Sequence, residues 1–130
     1  MVDGMSFFPV NLEVANPRDT TRVSCKINAL VDTGSELTWV PAPILEATGI
    51  VRLKKKSFRT ASNQTLLRDV GYGVIRAEGF ETIDEVVFAE ATDMTLLGVR
   101  TLEGISAMVD ALGRKLVATT TIAAGCAHGG

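Results

Sequence analysis

The residues best placed to do chemistry lie in the segment ALVDTGSELTWVP, at positions 29–41. Three apolar residues lead into Asp32, and a second apolar segment follows the Thr-Gly-Ser that comes after it. A carboxylate at the end of a buried strand loses hydration, so hydrogen bonds or another group must compensate for it. The tripeptide alone is compatible with an ordinary turn, because Asp accepts backbone N–H bonds and glycine adopts positive φ. Its position between two apolar segments argues against a chance occurrence of the tripeptide.

A single acid of this kind has a chemical limitation. Hydrolysis of an amide needs an activated water and a proton donor for the leaving nitrogen, and one carboxylate cannot serve as both at once. Two carboxylates held close together can, because like charges at such a distance share one proton. Chemistry of this kind would therefore need a second carboxylate close to Asp32, and this sequence has one DTG.

The composition predicts one globular domain and excludes several classes of function. The chain has 130 residues, of which 46% are apolar and 22% charged, as expected for a compact domain spanning 1–130. A net charge of -2 and a pI near 5.4 give no electrostatic reason to expect nucleic acid or an anionic membrane as a partner. Cys25 and Cys126 are far apart in sequence, and the only histidine is His128. We therefore predict no disulfide framework, no metal site and no cofactor.

The sequence also lacks the patterns of membrane insertion and export. No segment approaches the roughly 18 continuous apolar residues that indicate a transmembrane helix. The opening MVDGMSFFPV has neither the basic start nor the apolar core of a signal peptide. These two observations predict a cytoplasmic protein.

Strand patterns dominate the sequence. Strands are predicted in segments rich in apolar and β-branched residues: 8–14, 22–31, 37–40, 94–98 and 114–123, with a chain of hairpins over 54–90. One face of the second strand is predicted to carry its alternate residues, Val23, Cys25, Ile27 and Ala29. Turns or bends are predicted at residues that favour them, namely 16–19, Ser62-Asn63, Gly71, Gly73 and Gly79.

Two short helices interrupt the predicted strands. One is predicted over 43–48, with proline at its start and Gly49 closing it. The other is predicted over 99–109, where the apolar residues with helical spacing are Leu102, Ile105 and Met108.

The order of these motifs resembles that of the retroviral-type aspartic proteases and their cellular single-domain relatives. ALVDTGS is followed by LLG (Leu96, Leu97, Gly98), whose glycine lies 66 positions after Asp32, and then by the second predicted helix. The resemblance covers roughly 8–117, leaving 124–130 as an expected flexible tail. It implies a mainly β, small, closed barrel-like half with one or two short helices, paired as a two-fold homodimer. The termini, FPVNLEV and KLVATTTIA, are expected to supply part of the dimer interface.

The resemblance assigns a role to each residue of the DTGS motif. Asp32 is expected to be the catalytic acid, paired with the same residue of a second chain. Thr33 is expected to hydrogen-bond across the two-fold axis. Gly34 is expected to allow close backbone approach and to donate its N–H to the carboxylate. Ser35 is expected to hydrogen-bond the outer oxygen of that carboxylate.

Members of this family cover their substrate with a β-hairpin, called the flap. Placing the strand GVIRAEG at 73–79 puts the flap tip at Arg59, Thr60, Ala61, Ser62 and Asn63. This tip lacks the glycines that are typical of retroviral flaps. Leu30, the tip and the strand around Leu96 are the expected lining of the substrate pocket.

Three further side-chain assignments have two readings each. Retroviral members often pair an arginine after the second glycine with an acid just past DTG. Here a Glu36–Arg100 pair, shifted by one residue, competes with an unrelated solvated pair. Trp39 either packs in the core beside the active-site loop or stacks on substrate. The lysines 54–56 form either a solvated flap base or a site for an acidic substrate.

The main functional prediction is an aspartic endopeptidase that acts on a peptide or protein. One alternative is a dimeric peptide- or protein-binding module of the same fold with a weak or silent site. A remote alternative is a nucleotide-binding protein of the actin and sugar-kinase type, whose phosphate loop also reads strand, Asp-x-Gly, strand. Those folds need two lobes and a much longer chain.

Overall fold

The computed structural model describes residues 7–60, 62–104, 107–110 and 115–118. Within these residues the chain forms ten strands and two short helices. The strands are β1 (Phe7–Asn16), β2 (Asp19–Val23), β3 (Ile27–Asp32), β4 (Thr38–Pro41), β5 (Lys54–Arg59), β6 (Thr65–Ala77), β7 (Phe80–Ala89), β8 (Leu96–Leu97), β9 (Ala107–Asp110) and β10 (Lys115–Ala118). The helices are α1 (Ala42–Ala47) and α2 (Val99–Gly104). The mainly β fold with short helices is confirmed.

Eight strands form one sheet, in the order β2-β1-β3-β8-β4-β7-β6-β5, and β1 also pairs with β6. Strands β9 and β10 form a separate antiparallel pair. Most neighbours are antiparallel, but β3 runs parallel to β8, and β4 runs parallel to β7. Because β8 lies between β3 and β4, it separates the strands that enter and leave the DTG turn.

The core consists of one large and one small cluster of apolar side chains. The large cluster includes fully buried residues from many elements, such as Phe8, Leu12, Leu45, Ile75, Phe88 and Leu97. Each contributes about 1.5–3 kcal/mol by leaving water. The small cluster contains buried residues from three parts of the chain, Leu37, Val70 and Val87, with Trp39 and Phe58 packed against them. It joins the β5–β6 hairpin to the region that follows the DTG turn.

Helix α1 forms where the sequence predicted a helix. A proline lies in its first turn, where a missing N–H costs nothing, and Leu45 is buried. The helix ends as the Thr48 amide bonds the Ile44 carbonyl, and Gly49 then adopts a φ of 81°. Glycine tolerates that left-handed conformation without strain, so the predicted ending is confirmed.

The predicted strand over 22–31 is wrong as a single element. Residues 24–26 belong to neither strand and divide the predicted element into β2 and β3. In this break Ser24 hydrogen-bonds Val14 of β1 through both its backbone and its side chain. The Ser24 amide donates to the Val14 carbonyl at 2.8 Å, and the Val14 amide donates to the Ser24 hydroxyl at 3.0 Å. The predicted common face is therefore not formed. Ile27 is buried, whereas Val23 and Cys25 are exposed.

The predicted turns at Gly71 and Gly73 are also wrong, because both glycines lie inside β6, a strand of 13 residues. A Cβ on Gly71 would overlap the Val51 carbonyl, so close packing explains the glycine there. The turns at 62–63 and at Gly79 are confirmed. Asn63 has a φ of 67° and Gly79 a φ of 86°.

The second helix is shorter than predicted. It ends at Gly104, where a Cβ would lie 2.5 Å from the Thr82 hydroxyl, and glycine is a poor helix former. Residues 107–110 are strand β9 rather than helix, because they pair with β10. The predicted strand at 114–123 is present over 115–118. Ile105 and the predicted tail, 124–130, lie outside the described residues. In the part of the chain that the structure describes, no helix has the length and apolarity needed to cross a membrane.

Candidate active site

The DTG segment forms a tight turn at the end of β3. Asp32 is the last residue of the strand and is partly buried. The Gly34 amide donates a 2.8 Å hydrogen bond to Asp32 Oδ1, and the Ser35 amide donates to the Asp32 carbonyl oxygen at 3.1 Å. The turn therefore fixes the carboxylate through its own backbone, as expected for Gly34.

The hydroxyl of Ser35 makes a different contact from the expected one. It donates to the Leu37 carbonyl at 2.8 Å, rather than to the outer oxygen of Asp32. The contact braces the loop two residues further along, because it links the end of the turn to the start of the next apolar segment. Thr33 is partly buried within the turn. Its bond across a two-fold axis stays a prediction.

The LLG segment and helix α2 hold the DTG turn and the loop after it through backbone hydrogen bonds. Leu96 and Leu97 pair in parallel with Leu30 and Val31 of β3. The first two amides of α2 then bond carbonyls of the loop, Val99 N–H to Ser35 at 2.8 Å and Arg100 N–H to Glu36 at 2.9 Å. A helix start has unsatisfied N–H groups, and here the loop after Asp32 satisfies them.

A buried pair of hydroxyls, Thr38 and Thr101, joins β4 to α2 and was not predicted. Thr38 Oγ1 accepts the Gly98 N–H at 3.0 Å and lies 2.6 Å from Thr101 Oγ1. Both threonines are fully buried, so these groups satisfy each other without water. The sequence signal is faint: Thr38 is the one polar residue of the apolar segment LTWV, whereas Thr101 lies in the mixed segment VRTLEG, where nothing distinguishes it.

Replacing Thr38 with valine is expected to destabilise the fold by about 1–3 kcal/mol, because the buried Gly98 N–H loses its acceptor. Chemical denaturation measures the change. Thr48→Val is the matched control. The Thr48 hydroxyl only donates to the Ile44 carbonyl, which also accepts the Thr48 N–H, so no donor is orphaned. Equal losses in the two variants would contradict the assigned role.

A groove of about 430 Å³ opens beside the DTG turn. Its lining includes loop residues, namely Asp32, Gly34, Ser35 and Glu36, and apolar residues, namely Leu37, Trp39 and Leu96. The β5–β6 hairpin contributes the rest of the lining, with Ser57, Phe58, Arg59, Thr60 and Leu66. A groove of similar volume at the β6–β7 turn is lined by charges of both signs and by no residue of the DTG turn.

The β5–β6 hairpin has its turn where the flap tip was predicted. The Thr60 amide donates to the Gln64 carbonyl at 2.8 Å, and the Asn63 amide donates to the Thr60 carbonyl at 2.9 Å. The Arg59 guanidinium donates to the Asn63 side-chain oxygen, and Ser62 lies within hydrogen-bond distance of the Thr60 hydroxyl. Side chains therefore close a tip that has no glycine. Among the predicted tip residues, Ala61 lies outside the described residues.

Trp39 lies both at the apolar core and at the groove, the two places considered for it. It is half-buried against the small apolar cluster and also lines the groove. Its ring meets that of Phe58 edge-on, with centroids 5.0 Å apart and an angle of 60° between planes. Such aromatic pairs add about 0.5–1.5 kcal/mol beyond burial, so this contact holds the hairpin against β4.

Of the two readings for Glu36 and Arg100, the ion pair between their side chains is not formed. The Arg100 guanidinium instead lies 3.1 Å from Asp84 and 3.1 Å from Glu85, and only its backbone amide bonds Glu36. Arg100 is the second residue of helix α2, which packs on β7. Its guanidinium therefore lies close to Asp84 and Glu85, which are residues of β7.

The lysines 54–56 are the base of the hairpin, as one of the two readings proposed, and all three are paired with acids. Lys54 and Lys56 contact Glu85, whereas Lys55 contacts Asp69. The hydrogen bond from Lys54 is the main cause that lowers the pKa of Glu85, with Lys56 acting in the same direction against burial. Among the described residues, no group of three or more potential metal ligands is found.

Comparison with known proteins identifies the fold. No family model and no curated protein matches the sequence. Among solved structures, the chain is similar to the protease of simian foamy virus (mac), with a TM-score of 0.50 and 23% identity over 74% of this chain and 92% of that one. It also matches a foamy viral protease–reverse transcriptase in complex with double-stranded DNA, with a TM-score of 0.49 and 19% identity over 72% of this chain. It spans only 14% of that longer chain.

The described fold is therefore that of a retroviral-type protease. At this identity the likeness concerns the fold alone. The observed fold also disfavours the actin-type alternative, which requires two α/β lobes.

Proposed function

We propose that the protein is an aspartic endopeptidase in which two copies of Asp32, one from each subunit of a homodimer, activate a water that attacks a peptide bond. The observation that carries the proposal is the Asp32 carboxylate, held by the Gly34 amide in the lining of a groove that the β5–β6 hairpin borders. A peptide lying in this groove would have one face toward the carboxylate and the other toward the hairpin.

The proposed chemistry uses the pair as one unit. One carboxylate carries a proton while the other is ionised, because two like charges so close cannot both be ionised at low cost. The ionised acid takes a proton from water as the oxygen attacks the carbonyl carbon. The protonated acid supplies a hydrogen bond to the carbonyl oxygen, and a proton reaches the leaving nitrogen. No metal or cofactor is required.

The dimer is part of the proposal, because this chain carries one DTG. In the proposed assembly each chain is a closed barrel-like half, and Thr33 bonds the facing loop. The N- and C-terminal strands supply part of the interface. The β9–β10 pair, which lies outside the eight-stranded sheet, is compatible with that arrangement. Apolar side chains of β1 such as Phe8 and Leu12 are already buried in the chain's own core, so β1 would contribute through its remaining surface.

Cleavage of a mixed peptide library is the direct test. We expect the highest rate at mildly acidic pH, since the rate falls when the pair is either fully protonated or fully ionised. EDTA should have no effect, and a hydroxyl-bearing mimic of the tetrahedral intermediate should inhibit. Inhibition by a chelator or by a serine-directed reagent would indicate another chemistry. Peptide binding without cleavage would favour the binding-module alternative.

Sedimentation at assay concentrations tests the dimer. We expect a monomer–dimer equilibrium, with specific activity falling on dilution below the dissociation constant. Thr33→Ala should weaken the dimer by roughly 1–3 kcal/mol, because a buried partner group loses its hydrogen bond. Full activity in a monomer, unchanged by dilution, would refute the paired-acid mechanism.

A further inference from the structure

Glu85 is a buried carboxylate that the proposed chemistry does not use. It lies on β7, two residues before Val87 of the small apolar cluster, and only 5% of its surface is exposed. A carboxylate that loses its water in this way is stable only when cations or donors compensate for it.

Its compensation comes from two different elements. From β5, Lys54 Nζ lies 2.6 Å from Oε2, and Lys56 Nζ lies 3.3 Å from Oε1. From α2, a guanidinium nitrogen of Arg100 lies 3.1 Å from Oε1, while its other terminal nitrogen contacts Asp84. The same oxygen, Oε1, is therefore shared by a hairpin lysine and the helix arginine.

Strand β5 forms part of the groove, and helix α2 contacts a loop that does. On β5, Lys54, Lys56 and Phe58 lie on the same face of the strand, and Phe58 contacts Trp39 at the groove. The same strand leads to Arg59, also in the groove lining. On α2, the amide of Arg100 bonds the Glu36 carbonyl in the loop after Asp32.

We propose that Glu85 is a positioning residue that couples the β5–β6 hairpin to helix α2, and through α2 to the loop that carries Asp32. Its carboxylate contacts both elements, whereas the ion pairs of the Arg100 side chain within the described residues are with acids of β7. Removing a cation on one side leaves the buried charge less compensated, so it moves toward the remaining cations and shifts the element on the other side. A shift of the β5–β6 hairpin is consequently accompanied by a shift of helix α2, and the reverse.

Hydrogen exchange tests the coupling without any assay of cleavage. Arg100→Met should speed exchange of β5–β6 amides between Ser57 and Leu66 by roughly two- to thirtyfold, the span of effects transmitted through a contact network. In the other direction, Lys54→Met should speed exchange of the Val99 and Arg100 amides. The two side chains are 42% and 49% exposed, so both substitutions are tolerated by packing.

Lys55→Met is the matched control. It removes a lysine of the same strand that pairs with Asp69 rather than with Glu85. We expect the α2 amides of this variant to exchange within about twofold of the parent, as for independent surface pairs. The proposal would be overturned if Arg100→Met changed amide exchange only in α2 and Lys54→Met only in the hairpin. It would also be overturned if Lys55→Met sped exchange of the α2 amides as much as Lys54→Met does.

A second test measures cleavage kinetics and therefore rests on the proposed function. Glu85→Gln should raise KM for a cleaved peptide by about five- to tenfold with kcat changed less, as when binding common to ground and transition states is lost. Asp69→Asn should change neither by more than about twofold. Because the exchange arm needs no catalysis, an uncleaved library refutes the proposed function and leaves the coupling to be decided by exchange. Unchanged exchange in an active protease refutes the coupling alone.

Discussion

Asp32→Asn is expected to abolish peptide cleavage while the fold and the dimer remain intact. Asparagine has nearly the shape of aspartate and still offers an oxygen to the Gly34 amide, which now bonds Asp32 Oδ1 at 2.8 Å. It cannot carry the negative charge that activates water, so the proposed dimer would hold two amides where one ionised and one neutral acid are needed. Loss of a general base of this kind lowers the rate by at least about 10²–10⁴-fold.

The measurement compares turnover of one cleavable peptide with thermal unfolding of the same preparation. Asp69→Asn is the charge-matched control, because it also converts an aspartate to asparagine but lies outside the groove. The melting temperature of Asp32→Asn should equal or exceed that of the parent, because the repulsion between two acids is removed. Turnover at the parental rate would make Asp32 a structural turn residue and remove the basis of the protease assignment.

Gly98→Ala is expected to cause the largest loss of stability of any single methyl addition near the site. A Cβ there would overlap the Leu37 carbonyl oxygen, and would lie 2.5 Å from the carbonyl carbon and 3.0 Å from the Glu36 carbonyl oxygen. These are backbone atoms of the loop after Asp32, so they cannot move aside as a side chain does. We expect destabilisation at or above the upper end of the about 1–3 kcal/mol that overpacking costs, with cleavage reduced in the folded fraction.

Gly73→Ala is the matched control for this effect. It adds the same methyl group at a buried glycine, but the nearest atom is the tip of Ile50, at 3.2 Å, which can change rotamer. Denaturant unfolding of the two variants should give a clearly smaller loss for Gly73→Ala. Losses of equal size would mean that the close approach of Gly98 to the loop is not what makes glycine necessary there.

The DTG turn and the LLG segment could be predicted from the sequence because their signals are local. The turn chemistry of Asp32 and Gly34 lies within three residues, and the N–H bond between them follows from it. The hairpin tip was predictable for the same reason, since Asn63 tolerates positive φ.

No pattern along the chain predicts the remaining contacts. The partners of Arg100 are acids of β7 that the packing of α2 brings near. The hydroxyl of Ser35 bonds the Leu37 carbonyl rather than the Asp32 carboxylate. Both acceptors are close in sequence, and the sequence does not show which of them the hydroxyl bonds. The division of the predicted strand at Ser24 arose because β1 is long enough to pair with two different segments.

The pairing of β3 with β8 has a consequence for how the protein is made. Leu30 pairs with Leu96, and the Thr38–Thr101 contact spans 63 positions, so the loop that holds Asp32 is shaped by residues synthesised much later. Such non-local contacts form slowly, on the order of milliseconds to seconds for small β-rich domains, because a long loop must close first. A nascent chain that has not yet reached Gly98 has Asp32 but lacks the segment against which its loop packs. Hydrolytic competence, on the proposed function, would therefore appear only after synthesis and folding of this region, and the unfinished chain would be protected from cutting itself or its neighbours.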